Sequence, residues 1–178
     1  MKKIINPFDY AKEICTPLPG GVLLTTQAEG RVDTMTIGWA NIGRTWNKPT
    51  VVVYVRTGRF THSLLEKNPE FTINIPLGAY DKTILGKAGT TTGRKVDKIK
   101  EFGLTLDEPQ VISVPGIKEF PLTLECKVIY KANIKIADVH CDTVPDLYPP
   151  EISNPDVARN NEEHTLYVGE IVSAYIIE

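Results

Sequence analysis

Leu122, Leu124, Cys126, Val128 and Tyr130 alternate with Thr123, Glu125, Lys127 and Lys131, the cleanest period-two pattern in the chain. Such alternation predicts a strand with one apolar face. Cys126 lies on that face, as a small core residue rather than a nucleophile. Phe71, Ile73 and Ile75 alternate with Thr72 and Asn74 and predict a half-buried strand. Residues 51–55 form instead an unbroken run of β-favouring side chains, short enough for a strand buried on both faces. Further strands are predicted over 22–26, after Gly20-Gly21, and over 35–40, 134–139 and 164–177, with Gly169 a candidate bulge. Residues 28–33 read as a polar hairpin turn.

Helical signals are short. The N-terminal arm, residues 1–19, has helical character from 7 to 14. After Gly58, Thr61 or Ser63 can cap a helix, and Ser63 with Glu66 matches the S-x-x-E capping box. Asn68-Pro69 ends that helix, because a residue before proline is pushed out of the α region. Residues 80–88 predict a helix ended by Gly89, and 96–102 another stopped by Gly103. The stretch 41–49 reads as a loop carrying Trp46, an aromatic suited to a satellite contact, a subunit or a planar ligand. From 143 to 163 periodicity is lost and four prolines appear, which suits a lid, an inter-subunit arm or a mobile loop.

Composition narrows the class. A chain of 178 residues fits one domain, taken here as residues 1–178, and buries enough surface to need no covalent staples. Thirteen prolines and thirteen glycines punctuate many short segments and favour β architecture. A net charge of −2 argues against nucleic acid or a membrane surface as the main partner. No stretch resembles a signal peptide or a membrane span, and the three cysteines are irregularly spaced. The expectation is a cytoplasmic protein with reduced thiols.

Candidate chemistry concentrates between residues 35 and 76. Arg56 and Arg59 stand just before the predicted helix, with Thr61, His62 and Ser63 able to donate hydrogen bonds. Two guanidinium groups and three donors at a helix start form a phosphate cradle; the same residues also suit solvated turn positions and an ordinary cap. The segment GTTTGRKVDKIKEFGL lacks the G-x-x-x-x-G-K-[ST] spacing, which excludes a P-loop NTPase. No G-x-G-x-x-G follows a strand, so a dinucleotide-binding Rossmann fold has no support. His140-Cys141 has no second pair at metal spacing, and no metal site is expected.

The order MTIGWA, TVVVYVR, FTHSLLEKNPEFTINIP, TGRKVDKIKEFGL and EEHTLYVGEIV resembles the flavin reductase-like family, which includes flavoredoxin. The resemblance implies a mainly β fold, a Greek-key-like antiparallel split β-barrel with a few short helices, forming a homodimer with FMN near its interface. It implies that Thr36, Ile37, Gly38 and Trp39 line the flavin, with Gly38 allowing close backbone approach. Arg56, Arg59, Thr61 and His62 fall where the family binds the FMN phosphate. Thr92, Arg94 and Lys98 match a loop that reaches the cofactor, where a cation would favour reduced flavin. His164 stands where some NAD(P)H-using relatives carry Gly-Asp-His against the nicotinamide, but here Glu162-Glu163 precede it; a lone surface histidine is the other reading.

The chemistry implied is hydride transfer from NADH or NADPH to flavin N5, then delivery to a small-molecule or protein acceptor. Flavin carries that chemistry itself, so no dedicated catalytic side chain is expected. Three classes stay open: an FMN-dependent NAD(P)H oxidoreductase, an FMN electron carrier without a nicotinamide site, and a split-barrel binding module with no redox role.

Overall fold

The computed structural model describes residues 1–149 and 162–178. Along the chain run β1 (Lys2–Ile4), α1 (Ala11–Cys15), β2 (Val22–Ala28), β3 (Arg31–Ile37), β4 (Ala40–Thr45), β5 (Lys48–Arg56), α2 (Phe60–Leu65) and β6 (Glu70–Ile75). These are followed by α3 (Thr83–Thr90), α4 (Lys98–Glu101), β7 (Leu106–Asp107), β8 (Gly116–Ile117), β9 (Leu122–Asn133), α5 (Val144–Leu147) and β10 (His164–Ile177). Every described strand pair is antiparallel, in the order β3-β2-β6-β9-β10-β5-β4. The edge strands β3 and β4 are not hydrogen-bonded to each other, so the barrel stays split. The long β10 pairs along one side with β9 and along the other with β5 and then β1. No described helix is long and apolar enough to cross a membrane.

Two apolar clusters hold the sheet. The larger joins Val22, Leu24, Val51, Val53, Val55, Phe71, Ile73, Leu124, Cys126 and Tyr167. The smaller lies under α3 and α4, where Leu23 meets Ile84, Leu85, Ala88 and Phe120. Gly169 sits at a register shift, as the sequence predicts, and the shift has a packing reason. A Cβ there would overlap the Phe71 ring, so the strand jogs where it crosses that aromatic.

The structure corrects several expectations. Residues 41–49 are not a loop: β4 and β5 form a hairpin turning at Trp46 and Asn47, both at positive φ. A two-residue turn with both centres left-handed matches strand twist, and its usual Asn-Gly signal is absent here. The first hairpin turns just as tightly at Glu29 and Gly30, so β3 begins at Arg31 rather than Met35. β5 is not buried on both faces: Val51, Val53 and Val55 point into the core, while Val52, Tyr54 and Arg56 are half-exposed. β6 is the reverse case, buried on both faces. Its Thr72 donates to Pro115 O at 2.9 Å and its Asn74 to the Thr123 hydroxyl at 3.2 Å, satisfying the polar side under the 105–121 segment.

Ser63 lies inside α2 and donates back to Phe60 O at 2.7 Å; Arg59 is the cap position, and its side chain makes no capping bond. α3 runs past Gly89 to Thr90. Residues 134–139 are not a strand but a connection containing one 3-10 turn, Ile136–Asp138. Of the proline-rich stretch 143–163, residues 150–161 lie outside the described residues.

Candidate functional site

The site is set by strand register. His164 on β10 pairs with Arg56 on β5, and Leu166 with Tyr54, so His164, Arg56 and Tyr54 share the face turned away from the core. β3 ends at Ile37, and Gly38 and Trp39 bridge it to β4 alongside that face. The Trp39 ring lies 4.8 Å from the His164 ring and meets Tyr54 edge-on at 6.4 Å. The chain then turns from β5 into α2, with the Arg59 amide bonded to Arg56 O at 3.1 Å. That turn returns Arg59 to the side on which Arg56 already stands. Met35, Thr36, Ile37, Gly38, Trp39, Tyr54, Arg56, Arg59 and His164 line one cleft of about 150 Å³.

Both guanidinium groups are partly sequestered. Arg56 donates to Leu147 O at 2.8 Å and Glu162 O at 3.1 Å, and lies 5.0 Å over the Tyr148 ring. Arg59 donates to Gly89 O at 2.7 Å, while its Nε is buried without a hydrogen-bond partner. Burial pushes both arginines down, and Arg56 lowers Arg59 further; Tyr148 and then Glu162 pull Arg56 back up, and Asp33 and then Glu162 pull Arg59 back up. Two crowded cations with an unused donor call for an anion.

His164 is 5% exposed, which excludes the surface-histidine reading. Its Nδ1 is 2.7 Å from the Tyr148 hydroxyl. Burial, then the charges of Arg56 and Arg59, lower it to about 4, so the ring is neutral near pH 7.

Other predicted residues fall elsewhere. Thr61 is buried and donates to Asp33 Oδ2 at 2.5 Å, sealed behind the cleft rather than facing it. His62 is half-buried against β10, with Nε2 3.0 Å from the Thr165 hydroxyl. Lys98 is 3% exposed, donates to Thr34 O at 2.6 Å and lies 3.4 Å from Asp33 Oδ1. It therefore ties α4 beneath β3 instead of reaching a ligand. Arg94 is exposed and donates to Gly58 O at 3.0 Å, and Thr92 accepts from the Arg94 amide at 3.3 Å. Gly38 does use its missing side chain for a close approach, but to the N-terminal arm: a Cβ would lie 3.1 Å from Leu18 O. Thr36 lines the cleft with its hydroxyl donated to Leu85 O at 2.6 Å.

Two cleft residues, Met35 and Tyr54, and two neighbours of Arg56, Tyr148 and Glu162, escaped sequence reasoning. Tyr54 was hidden in an apolar run whose alternation is visible only as Tyr54 and Arg56 against Val53 and Val55. Tyr148 and Glu162 flank an aperiodic segment and carry no local signal. Among the described residues, no three His, Cys, Asp or Glu side chains are grouped to hold a metal ion.

The family model for the flavin reductase like domain matches residues 16–178. The chain belongs to that family. Membership supports a flavin-binding, oxidoreductase-type role. An uncharacterised protein of Archaeoglobus fulgidus is 28% identical over 170 residues, covering 96% of this chain and 76% of its own length. Flavoredoxin of Desulfovibrio vulgaris (Miyazaki F) superimposes with a TM-score of 0.65 at 24% identity, over 89% of this chain and 69% of that one. The FMN-binding domain of a flavin reductases-like enzyme from Shewanella baltica gives a TM-score of 0.67 at 17% identity, over 99% and 77%. These structures share the split-barrel fold with this chain.

Proposed function

We propose that this protein binds FMN in the cleft between β3, β5 and β10 and works as an FMN-dependent oxidoreductase. The observation that carries the reading is that Arg56 and Arg59 line one cleft with Trp39, Tyr54 and His164, with the Arg59 Nε buried and without a hydrogen-bond partner. A phosphate group fits that donor set better than any neutral ligand. Arg56 and Arg59 would hold the phosphate, with Arg94 at the rim; Thr36 to Trp39 would line the flavin. Bound FMN would supply hydride acceptance at its N5 and onward electron delivery.

The protein's own part is positional. Trp39, Tyr54 and His164 offer an aromatic wall, and the neutral His164 adds no charge beside the two arginines. A cleft of about 150 Å³ is smaller than the roughly 300–1,000 Å³ usual for such ligands. A second copy of the chain completing the site is consistent with that shortfall. It also gives a use to Trp46, 61% exposed and set edge-on to the half-exposed Tyr130 at 5.7 Å.

NADH or NADPH is the proposed electron donor. The carrier reading, without a nicotinamide site, draws support from His164, whose ring is buried between Trp39 and Tyr148. One experiment tests both. FMN is added to the purified protein without oxygen, and the visible spectrum is followed through additions of NADH, then NADPH, then dithionite. Bleaching by a nicotinamide supports the oxidoreductase; bleaching by dithionite alone supports the carrier. A protein that takes up no FMN sinks both.

A further inference from the structure

An anion of the chain's own lies beside the cradle. An added Cβ at Gly58 would overlap the Glu162 carboxylate, so that group lies against the turn joining β5 to α2. Glycine lets it lie there without shifting. Its charge acts on Arg56, Arg59 and His62, three of the four residues expected around a phosphate. The backbone that carries it is fixed rather than free. Glu163 O accepts from the Thr57 amide at 3.1 Å, Glu162 O accepts from Arg56, and His164 continues into the β10–β5 ladder. Glu163 points elsewhere, its Oε1 accepting from the Ile136 amide at 3.3 Å.

We propose that Glu162 is a resident counter-anion that sets the selectivity of the cleft between phosphorylated and unphosphorylated flavin. FMN must bring its phosphate in against this carboxylate or swing the side chain out. Riboflavin, lacking the phosphate, meets a cradle whose charge Glu162 already offsets in part. Glu162 therefore weakens FMN binding selectively and makes FMN an exchangeable ligand rather than a permanently held group. This rests on the flavin reading above and deepens it.

The test is a titration of wild type, Glu162→Gln and Glu163→Gln with FMN and, separately, riboflavin, followed by quenching of flavin fluorescence. Removing one like charge beside a dianion should tighten FMN about tenfold in Glu162→Gln. Riboflavin affinity should stay within about twofold, and Glu163→Gln should match wild type for both. Glu162→Ala repeats the measurement without the amide, so an effect of new hydrogen bonds is separated from the loss of charge. Equal or weaker FMN binding in both Glu162 variants, with wild type binding FMN, overturns the proposal and leaves the cofactor reading intact. If neither wild type nor the variants bind either flavin, the cofactor reading fails and takes this proposal with it.

Discussion

Replacing Asp33 with Ala should unfold the molecule at a much lower temperature although Asp33 does not line the cleft. Its carboxylate is 1% exposed, accepts the Thr61 hydroxyl at 2.5 Å and faces the Lys98 ammonium at 3.4 Å. Lys98 is itself 3% exposed, and its remaining bonds are to Thr34 O and, at 3.4 Å, Ala88 O. Burial lowers the Lys98 pKa, and Asp33 is the group that opposes the lowering. Without it a positive charge stays sealed among carbonyls, and breaking one partner of a buried pair costs about 3–5 kcal/mol. For a chain of this size that is a fall of about 10 °C in melting temperature.

The control is Asp33→Ala combined with Lys98→Met. Removing both charges leaves the Thr61 hydroxyl, which Asp33→Ala alone also strands, and adds only the Thr34 carbonyl and the weakly bonded Ala88 carbonyl, about 1–3 kcal/mol for the former. The double variant should therefore be more stable than Asp33→Ala alone. Equilibrium urea unfolding of the three proteins reads this directly. A loss below about 1 kcal/mol for Asp33→Ala, or a double variant no more stable than the single, refutes the reasoning. The pair matters to function because it pins α3 and α4 beneath β3, the strand that delivers Thr36 to Trp39 to the cleft. Gly93 seals the arrangement, since a Cβ there would overlap the Asp33 carboxylate.

Two further outcomes separate the cleft from its support. Thr61→Val should cost about 1–3 kcal/mol in urea unfolding yet leave FMN affinity unchanged, whereas Arg59→Ala should weaken FMN about ten- to a hundredfold with little loss of stability. Equal effects of the two on FMN titration would return Thr61 to the cradle. His164 gives a pH test: its folded value of about 4 lies below the ordinary 6.5, so the unfolded chain alone takes up a proton between them. Stability carried by the neutral ring is whole above pH 6.5 and is lost as pH falls towards 4. The difference in unfolding free energy between wild type and His164→Gln should therefore be flat above pH 6.5 and shift below it; a difference that does not change with pH contradicts the burial argument.

Much of the barrel was legible because its strands carry period-two patterns with few competing signals. β9 and β10 were read with Cys126 inside and the irregularity at Gly169, both properties of a single strand's faces. The misreadings share a cause in tertiary context. β4 looked like a loop because Asn41, Gly43 and Arg44 are ordinary turn formers, and only pairing with β5 holds them extended. β6 looked half-buried because what covers Thr72 and Asn74 is a distant segment ending at Pro115 and β8. Arg56 and Arg59 were identifiable from their place between a strand and a helix. Thr61 and Lys98 were not separable from them, because whether a polar side chain faces a cleft or a buried carboxylate depends on Asp33, almost thirty residues upstream of Thr61.

The same dependence separates the charged groups that lie around this cleft. They fall into two sets, one sealed beneath β3 and one at the open cleft, with Asp33 also acting on Arg59. Lys98 and Asp33 neutralise each other below β3, where the charges stiffen the support and no ligand reaches them. Above it the Glu162 carboxylate, set against the Gly58 turn, opposes the charges of Arg56 and Arg59, and Asp33 acts on Arg59 as well. A ligand anion can exchange with the second pairing at the expense of one carboxylate, and with the first only by unfolding α4. On the proposal above, neutralising Glu162 should change FMN affinity, whereas neutralising Asp33 should change stability.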